Sequence, residues 1–280
     1  MNKKLKLGNF EIIWLNGGKF EMDGGAIFGV VPKILWKKKY PSDEDNFIPL
    51  VARPMLIKTS KANILVETGI GNKLTDKQKK IFRVREEWKI ISELEDMGIG
   101  KGDIDYVILT HFDFDHAGGV VMQNNHGILD LSFPDAQHII QRTEWEDVLS
   151  PNKRSINTFW PINNELLQQR GNLHLVDGDE EITNGVNLIY TGGHNRGHQI
   201  VRIESEGNMA LHLGDLLPTH VHFNPLWIMA YDNYPLDTMK QKELLEKKYI
   251  DESAWFLFYH DPFINACKFD HKGNVVEKIS

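Results

Sequence analysis

Apolar residues in this chain come mostly in short runs rather than in long amphipathic stretches. Runs around residues 10–15, 51–58, 63–68, 105–110, 137–140, 186–191, 199–204, 209–213 and 254–259 have the length and β-branched content of buried strands. Fewer segments carry a helical period. The clearest is 236–249, where Leu236, Met239, Leu244, Leu245 and Tyr249 form one apolar side and Lys and Glu cover the rest. A second helix is predicted over 88–97, with Gly98 placed to cap its C-terminus. A third runs from Thr143 to Leu149, with Thr143 as N-cap and Glu146 three residues on. Periodicity alone yields a mixed α and β protein. Two segments carry neither period: 150–170, with Pro151 and Pro161, and 216–235, rich in His, Trp, Tyr and Pro. Unpatterned segments of that length are functional or poorly ordered, and both are candidate lids.

With 280 residues and 41% hydrophobic content the chain can bury a large core, and no linker or low-complexity tract divides it, so one domain over 1–280 is expected. The formal net charge of −7 argues against a nucleic-acid partner, since a phosphate backbone demands clustered Lys and Arg. The short runs Lys37–Lys39 and Lys77–Lys80 read as solvated surface. No window approaches the ~20 apolar residues that cross a bilayer, so no membrane partner is expected. The basic N-terminus lacks the ~7–15-residue apolar stretch of a secretory signal. The single cysteine, Cys267, fits a reducing compartment, and a cytoplasmic protein is expected.

The chemistry enters at the ends of the apolar runs. Val107-Ile108-Leu109-Thr110 is followed by His111-Phe-Asp113-Phe-Asp115-His116, which puts four potential metal ligands in one short segment. In an extended segment His111, Asp113 and Asp115 point the same way, and His116 turns the corner with them. Further potential ligands recur at His194, Asp215 and His260, each again after an apolar stretch. The set is a candidate two-metal centre.

Together the segments Leu-Thr-His111-Phe-Asp113-Phe-Asp115-His116-Ala-Gly-Gly, Thr-Gly-Gly-His194-Asn-Arg-Gly-His198, Leu-His-Leu-Gly-Asp215 and Phe-Tyr-His260-Asp-Pro resemble the metallo-β-lactamase superfamily. With Ile64-Leu-Val-Glu67-Thr-Gly and the Gly-rich stretch 23–32, the resemblance covers nearly the whole chain. It looks most like the branch of quorum-quenching lactonases and organophosphate-hydrolase relatives. It implies an α+β fold, the αββα sandwich. It also implies two divalent metal ions, one held by His111, Asp113 and His194 and the other by Asp115, His116 and His260, with Asp215 bridging. Asp115 and Asp215 are the carboxylates expected to act in catalysis. The implied reaction is attack of a metal-bridging hydroxide on an ester-like bond of a small molecule, a lactone above all.

The chain departs from the family pattern His-x-His-x-Asp-His at residue 113, where aspartate replaces histidine. A third carboxylate lowers the net charge of the centre by one and favours harder ions, so Mn²⁺ or iron competes better with Zn²⁺. Glu67 is expected to orient a ligating imidazole, His198 to be structural, and Asp261 to orient the His260 loop or cap a turn. His220 and His222, like His126, His138, His174, His212 and His271, read as packed or solvated residues. Phe159, Trp160, Trp227, Tyr231 and Tyr234 read as core or loop packing, with a homodimer contact as the alternative use for the exposed ones. Neither a Gly-x-x-x-x-Gly-Lys-Ser/Thr loop nor a Gly-x-Ser-x-Gly elbow is present. The rivals to a hydrolase are an iron-dependent oxidoreductase of the same superfamily, acting on persulfides or oxygen, and a non-catalytic binding protein.

Overall fold

The computed structural model describes residues 3–170 and 172–280. Strands Lys4–Leu7, Phe10–Trp14, Met55–Lys58, Asn63–Val66, Tyr106–Ile108, Gln137–Gln141 and Leu173–Val176 form one sheet in that spatial order. Strands Glu180–Thr183, Val186–Tyr190, Gln199–Ser205, Asn208–His212, Trp255–Leu257, Ala266–Phe269 and Val275–Ile279 form a second. The first sheet is antiparallel from Lys4–Leu7 to Asn63–Val66 and parallel from there to its other edge, Leu173–Val176, whereas the second is antiparallel except for Asn208–His212 on Trp255–Leu257.

Strands buried on both faces explain why the sequence shows continuous apolar runs instead of alternation. Met55, Ile57, Ile64, Val66 and Ile108 point between the sheets and meet Leu188, Val201, Ile203 and Leu257. Their neighbours Leu56, Leu65 and Val107 point the other way, with Ile90, Leu94, Trp145 and Leu167 of the covering helices. Behind the second sheet, Leu211, Phe256 and Cys267 pack with Leu245 and Tyr249 of the helix Pro235–Asp251. Each such fully buried side chain contributes roughly 1.5–3 kcal/mol. The result is helix, sheet, sheet, helix: the αββα sandwich. Among the described residues no helix is long and apolar enough to cross a membrane.

Several local expectations change. The run 51–58 is two strands, Phe47–Val51 and Met55–Lys58, divided around Pro54, whose missing N–H cannot join a ladder. The helix Arg142–Leu149 is capped by Gln141, not Thr143. The strand Gln137–Gln141 passes directly into it, and the Gln141 amide is held by Gly178 and Gln199. The second expected helix is shorter, Ile90–Asp96, and Gly98 follows it at φ 73° with its N–H on Glu95 O. Segment 150–170 contains a helix of its own, Pro161–Arg170.

Candidate metal centre

All seven candidate ligands lie where strands of both sheets end. His111 follows Tyr106–Ile108, His194 sits in the loop between Val186–Tyr190 and Gln199–Ser205, Asp215 is in a turn after Asn208–His212, and His260 follows Trp255–Leu257. Asp115 and His116 are on a helical turn, Phe114–Ala117, so the segment is not extended throughout, and Asp113 precedes that turn without capping it. Two glycines make the approach possible. Gly193 has φ 86°, and a Cβ there would stand 2.9 Å from Thr238 Cα; Gly214 has φ 51°, and a Cβ there would stand 2.7 Å from His198 Nε2.

The donor atoms form two groups, His111 with Asp113 and His194, and Asp115 with His116 and His260. Asp215 stands between them: Oδ1 lies 3.2 Å from both His116 Nε2 and His260 Nε2, while Oδ2 lies 3.5 Å from His194 Nε2 and 3.9 Å from His111 Nε2. A further tight group adds Glu67 to His111 and His116. Glu67 approaches from behind, with Oε1 accepting from Thr110 N and Oγ1 and lying 3.3 Å from His116 Nδ1 and 3.4 Å from His212 Nε2.

Three of the four imidazoles have their second nitrogen hydrogen-bonded, and that of His116 faces a carboxylate. His111 Nδ1 lies 2.9 Å from Thr110 Oγ1, whose hydroxyl already donates to Glu67, so the ring must donate. His116 Nδ1 faces Glu67, His194 Nδ1 donates to Asp232 Oδ1 at 2.9 Å, and His260 Nδ1 donates to Val51 O at 2.9 Å. In the neutral ring this fixes the tautomer and leaves Nε2 as a lone pair. Four lone pairs and three carboxylates then converge. His116 Nε2 and His260 Nε2 are only 3.1 Å apart, and among the described residues His111 Nε2 and Asp215 Oδ1 are buried without a hydrogen-bond partner. Such a set is satisfied by cations, and its donors fit divalent metal ions.

The carboxylates favour protonated His116 and His194 rings, and a cation binding there must displace those protons. Burial would raise the Glu67 carboxyl, but the His116 and His212 imidazoles outweigh it and hold its pKa at about 2. Burial opposes charge on His116 and His194 too, yet the carboxylates around them, Asp215 and Glu67 for one and Asp113, Asp215 and Asp232 for the other, raise both. His198, pushed down to about 3 by burial and by the neighbouring His194, stays neutral. It acts structurally, receiving the Asp215 N–H on Nε2 at 3.3 Å. Asp261 takes the backbone N–H groups of His220, Phe263 and Ile264 and so shapes the turn after His260. Neither His220 nor His222 joins the centre: the first binds Asp261, and the second stacks on Phe28 and lies 3.0 Å from Ile27 O.

The centre opens into a cavity of about 480 Å³ whose wall includes Met22, Ile27, Leu50, Phe82, Phe114 and Met229. Both unpatterned segments line it, through Arg154, Ser155, Asn157 and Thr158 on one side and Met229 to Tyr231 and Asn233 on the other. Arg154 joins them, with Nε donating to Asn233 Oδ1 at 2.7 Å. Phe159 is buried in the core, so it offers neither substrate nor partner a surface. Asp232, Asn195 and Glu144 belong to the site but escaped the sequence: Asp232 and Glu144 lie outside every ligand motif, and Asn195, though inside one, is not a ligand type.

A sequence profile described as the metallo-beta-lactamase superfamily matches residues 49–252. An N-acyl homoserine lactonase of Bacillus thuringiensis is 30% identical over 161 residues, 54% of this chain and 57% of that protein, so the match spans a little over half of each. The crystal structure of a probable metal-dependent hydrolase from Staphylococcus aureus is 42% identical with a TM-score of 0.93, covering 98% of both chains. AidC, a dizinc quorum-quenching lactonase solved with the product N-hexnoyl-L-homoserine, is 22% identical and shares the fold, with a TM-score of 0.80 over 99% of this chain and 96% of its own.

Proposed function

The chain belongs to the metallo-β-lactamase superfamily, and from that premise we propose that it is a dinuclear metal-dependent hydrolase cleaving an ester-like bond in a small, largely apolar molecule, with a lactone as the substrate class. The observation that carries this reading is that His111, His116, His194 and His260 all bring Nε2 within 3.9 Å of the Asp215 carboxylate, with Asp113 and Asp115 beside them. His111, Asp113 and His194 would hold one ion, Asp115, His116 and His260 the other, and Asp215 both. Two divalent ions there would polarise a carbonyl and lower the pKa of water towards ~7. The protein's own contribution is placement. Asp215 keeps its two oxygens on opposite groups, and Tyr259, stacked on His116, donates to Asp115 O at 2.6 Å and ties the helical turn to the strand end.

The apolar cavity wall supports an acyl-bearing substrate, as do the lactonases among the relatives. Asp113 supports Mn²⁺ or iron beside Zn²⁺. Tyr231 and Tyr234, each 41% exposed, remain available to a homodimer, and the buried lone Cys267 suits the reducing cytoplasm.

The test is elemental analysis of protein purified without added metal, beside lactone ring opening followed by proton release, for the native chain and Asp215→Asn. About two ions per chain, with metal content and turnover both reduced in the variant, are expected. Oxygen consumption without ester cleavage would replace the hydrolase with the iron-dependent oxidoreductase. Near-normal turnover in Asp215→Asn would remove the bridging role.

A further inference from the structure

The aspartate at 113 raises a geometric problem: a carboxylate has two oxygens and can swing, whereas the imidazole it replaces cannot. Its Oδ2 lies 3.4 Å from His194 Nε2 and 3.6 Å from His111 Nε2, within the first donor group. Its Oδ1 points away and lies 3.3 Å from the side-chain nitrogen of Asn195. Asn195 is buried, both N–H donors of its amide are engaged and its oxygen accepts one hydrogen bond. Nδ2 also donates to Glu144 Oε1 at 3.0 Å, and Oδ1 accepts from Asn233 Nδ2 at 2.7 Å. Glu144 is itself fixed, receiving Phe112 N at 2.9 Å on Oε1 and Gly197 N at 3.2 Å on Oε2. Asn233 is held by Arg154 on one side and by the His194 carbonyl on the other.

The orientation of the amide follows from chemistry. Arg154 can only donate, so Asn233 turns its oxygen to Arg154 and its NH₂ to Asn195, whose oxygen must accept and whose own NH₂ is left for Asp113 and Glu144. An amide whose two N–H groups are shared between a buttressed glutamate and Asp113 locks the Asp113 rotamer and occupies one of its oxygens. A neighbouring hydrogen-bonding group of this kind orients a ligand much as a carboxylate orients a ligating imidazole.

We infer that Asn195 is a positioning residue that makes Asp113 a one-oxygen ligand of the first metal, and that residues 113 and 195 work as a pair. The inference rests on Asp113 being a ligand, as proposed above, but not on the identity of the substrate. Its ingredients are the 3.3 Å contact, the commitment of both amide N–H groups and the hydrogen-bonded Glu144 behind them.

The test is a double-mutant cycle on the full chain: native, Asn195→Leu, Asp113→His and the double variant, each titrated with Zn²⁺ and with Mn²⁺ alone against a chromophoric chelator. Asn195→Leu in the native background should weaken one of two ions by about 10–100-fold and leave the other unchanged. In the Asp113→His background the same change should cost no more than about threefold, because there is no second carboxylate oxygen to hold. Cobalt substituted at the weakened site should show a changed ligand-field spectrum in Asn195→Leu only where residue 113 is aspartate. Equal losses in both backgrounds would mean that Asn195 merely supports the loop, and would overturn the inference. Unchanged affinity in the native background would overturn it as well. A native protein that binds neither metal would take down the metal-centre reading and this inference together, whereas tight metal binding without lactone hydrolysis would leave this inference standing. Asn195→Ala replaces Asn195→Leu should the latter fail to fold.

Discussion

Asp232 offers a direct way to disturb the tautomer of one proposed ligand, His194, without touching its ring. It is buried, its Oδ1 accepts from His194 Nδ1 at 2.9 Å, and its Oδ2 accepts from Met229 N at 2.8 Å. Asp232→Asn keeps the shape but supplies one acceptor where two donors wait. If the new NH₂ faces Met229, a buried N–H is left unpaired and folding loses about 1–3 kcal/mol. If it faces the ring, His194 must accept at Nδ1 and carry its proton on Nε2, which removes the lone pair the metal needs. The affinity of the first site then falls by about 10–100-fold, equivalent to roughly 1.4–2.7 kcal/mol. The same logic explains why an aspartate-to-asparagine change behind a catalytic histidine costs far more than its shape suggests. The assay is Zn²⁺ competition against a chelator together with urea unfolding of the metal-free protein. The two losses should sum to at least about 1 kcal/mol. Native values in both experiments would refute the argument that Asp232 sets the ring.

Three further outcomes are expected. Asp113→His should bind two ions still but shift its preference from Mn²⁺ towards Zn²⁺, read by direct competition between the two metals; an unchanged ratio would show that the third carboxylate does not govern selectivity. His138, away from the centre and fully buried, is pushed down to about 4 by burial. The unfolded chain therefore binds the extra proton first, and stability present above about pH 6.5 is lost as pH falls towards 4, by about 3 kcal/mol. His138→Leu should flatten that part of the curve in urea denaturation across the same window, and an identical slope would refute the assignment. Gly193→Ala puts a Cβ at φ 86° and 2.9 Å from Thr238 Cα, so it should destabilise the fold by roughly 1–3 kcal/mol and weaken metal binding at His194. Calorimetry and metal titration check both, and a native melting profile would show that the loop yields freely.

What the sequence discloses and what it hides divide along a physical line. His111, Asp113, Asp115 and His116 are legible because one strand end delivers them together, and the continuous runs at 63–68 and 105–110 are legible because both faces of those strands are covered. The helix Pro161–Arg170 escapes notice because Asn163 and Asn164 share its buried face with Leu167, so no apolar stripe marks it. The outer strand Lys4–Leu7 escapes because four residues are too few to establish its alternation, and Val275–Ile279 because it is largely exposed. Asp232, Asn195 and Glu144 are hidden for another reason. Each is needed only because of where a distant partner lies: Asp232 is 38 residues from His194, and Glu144 is 51 from Asn195. Ligand types are dictated by the metal and so recur in recognisable order, but the groups that orient them are dictated by whatever backbone happens to pass behind. The aspartate at 113 joins the two levels. Read alone it is a departure from a pattern; beside Asn195 it becomes one half of a hydrogen-bonded unit. If Asp113 holds a metal, its carboxylate is presented by the pair and not by residue 113 alone, because one of its oxygens already faces the Asn195 amide.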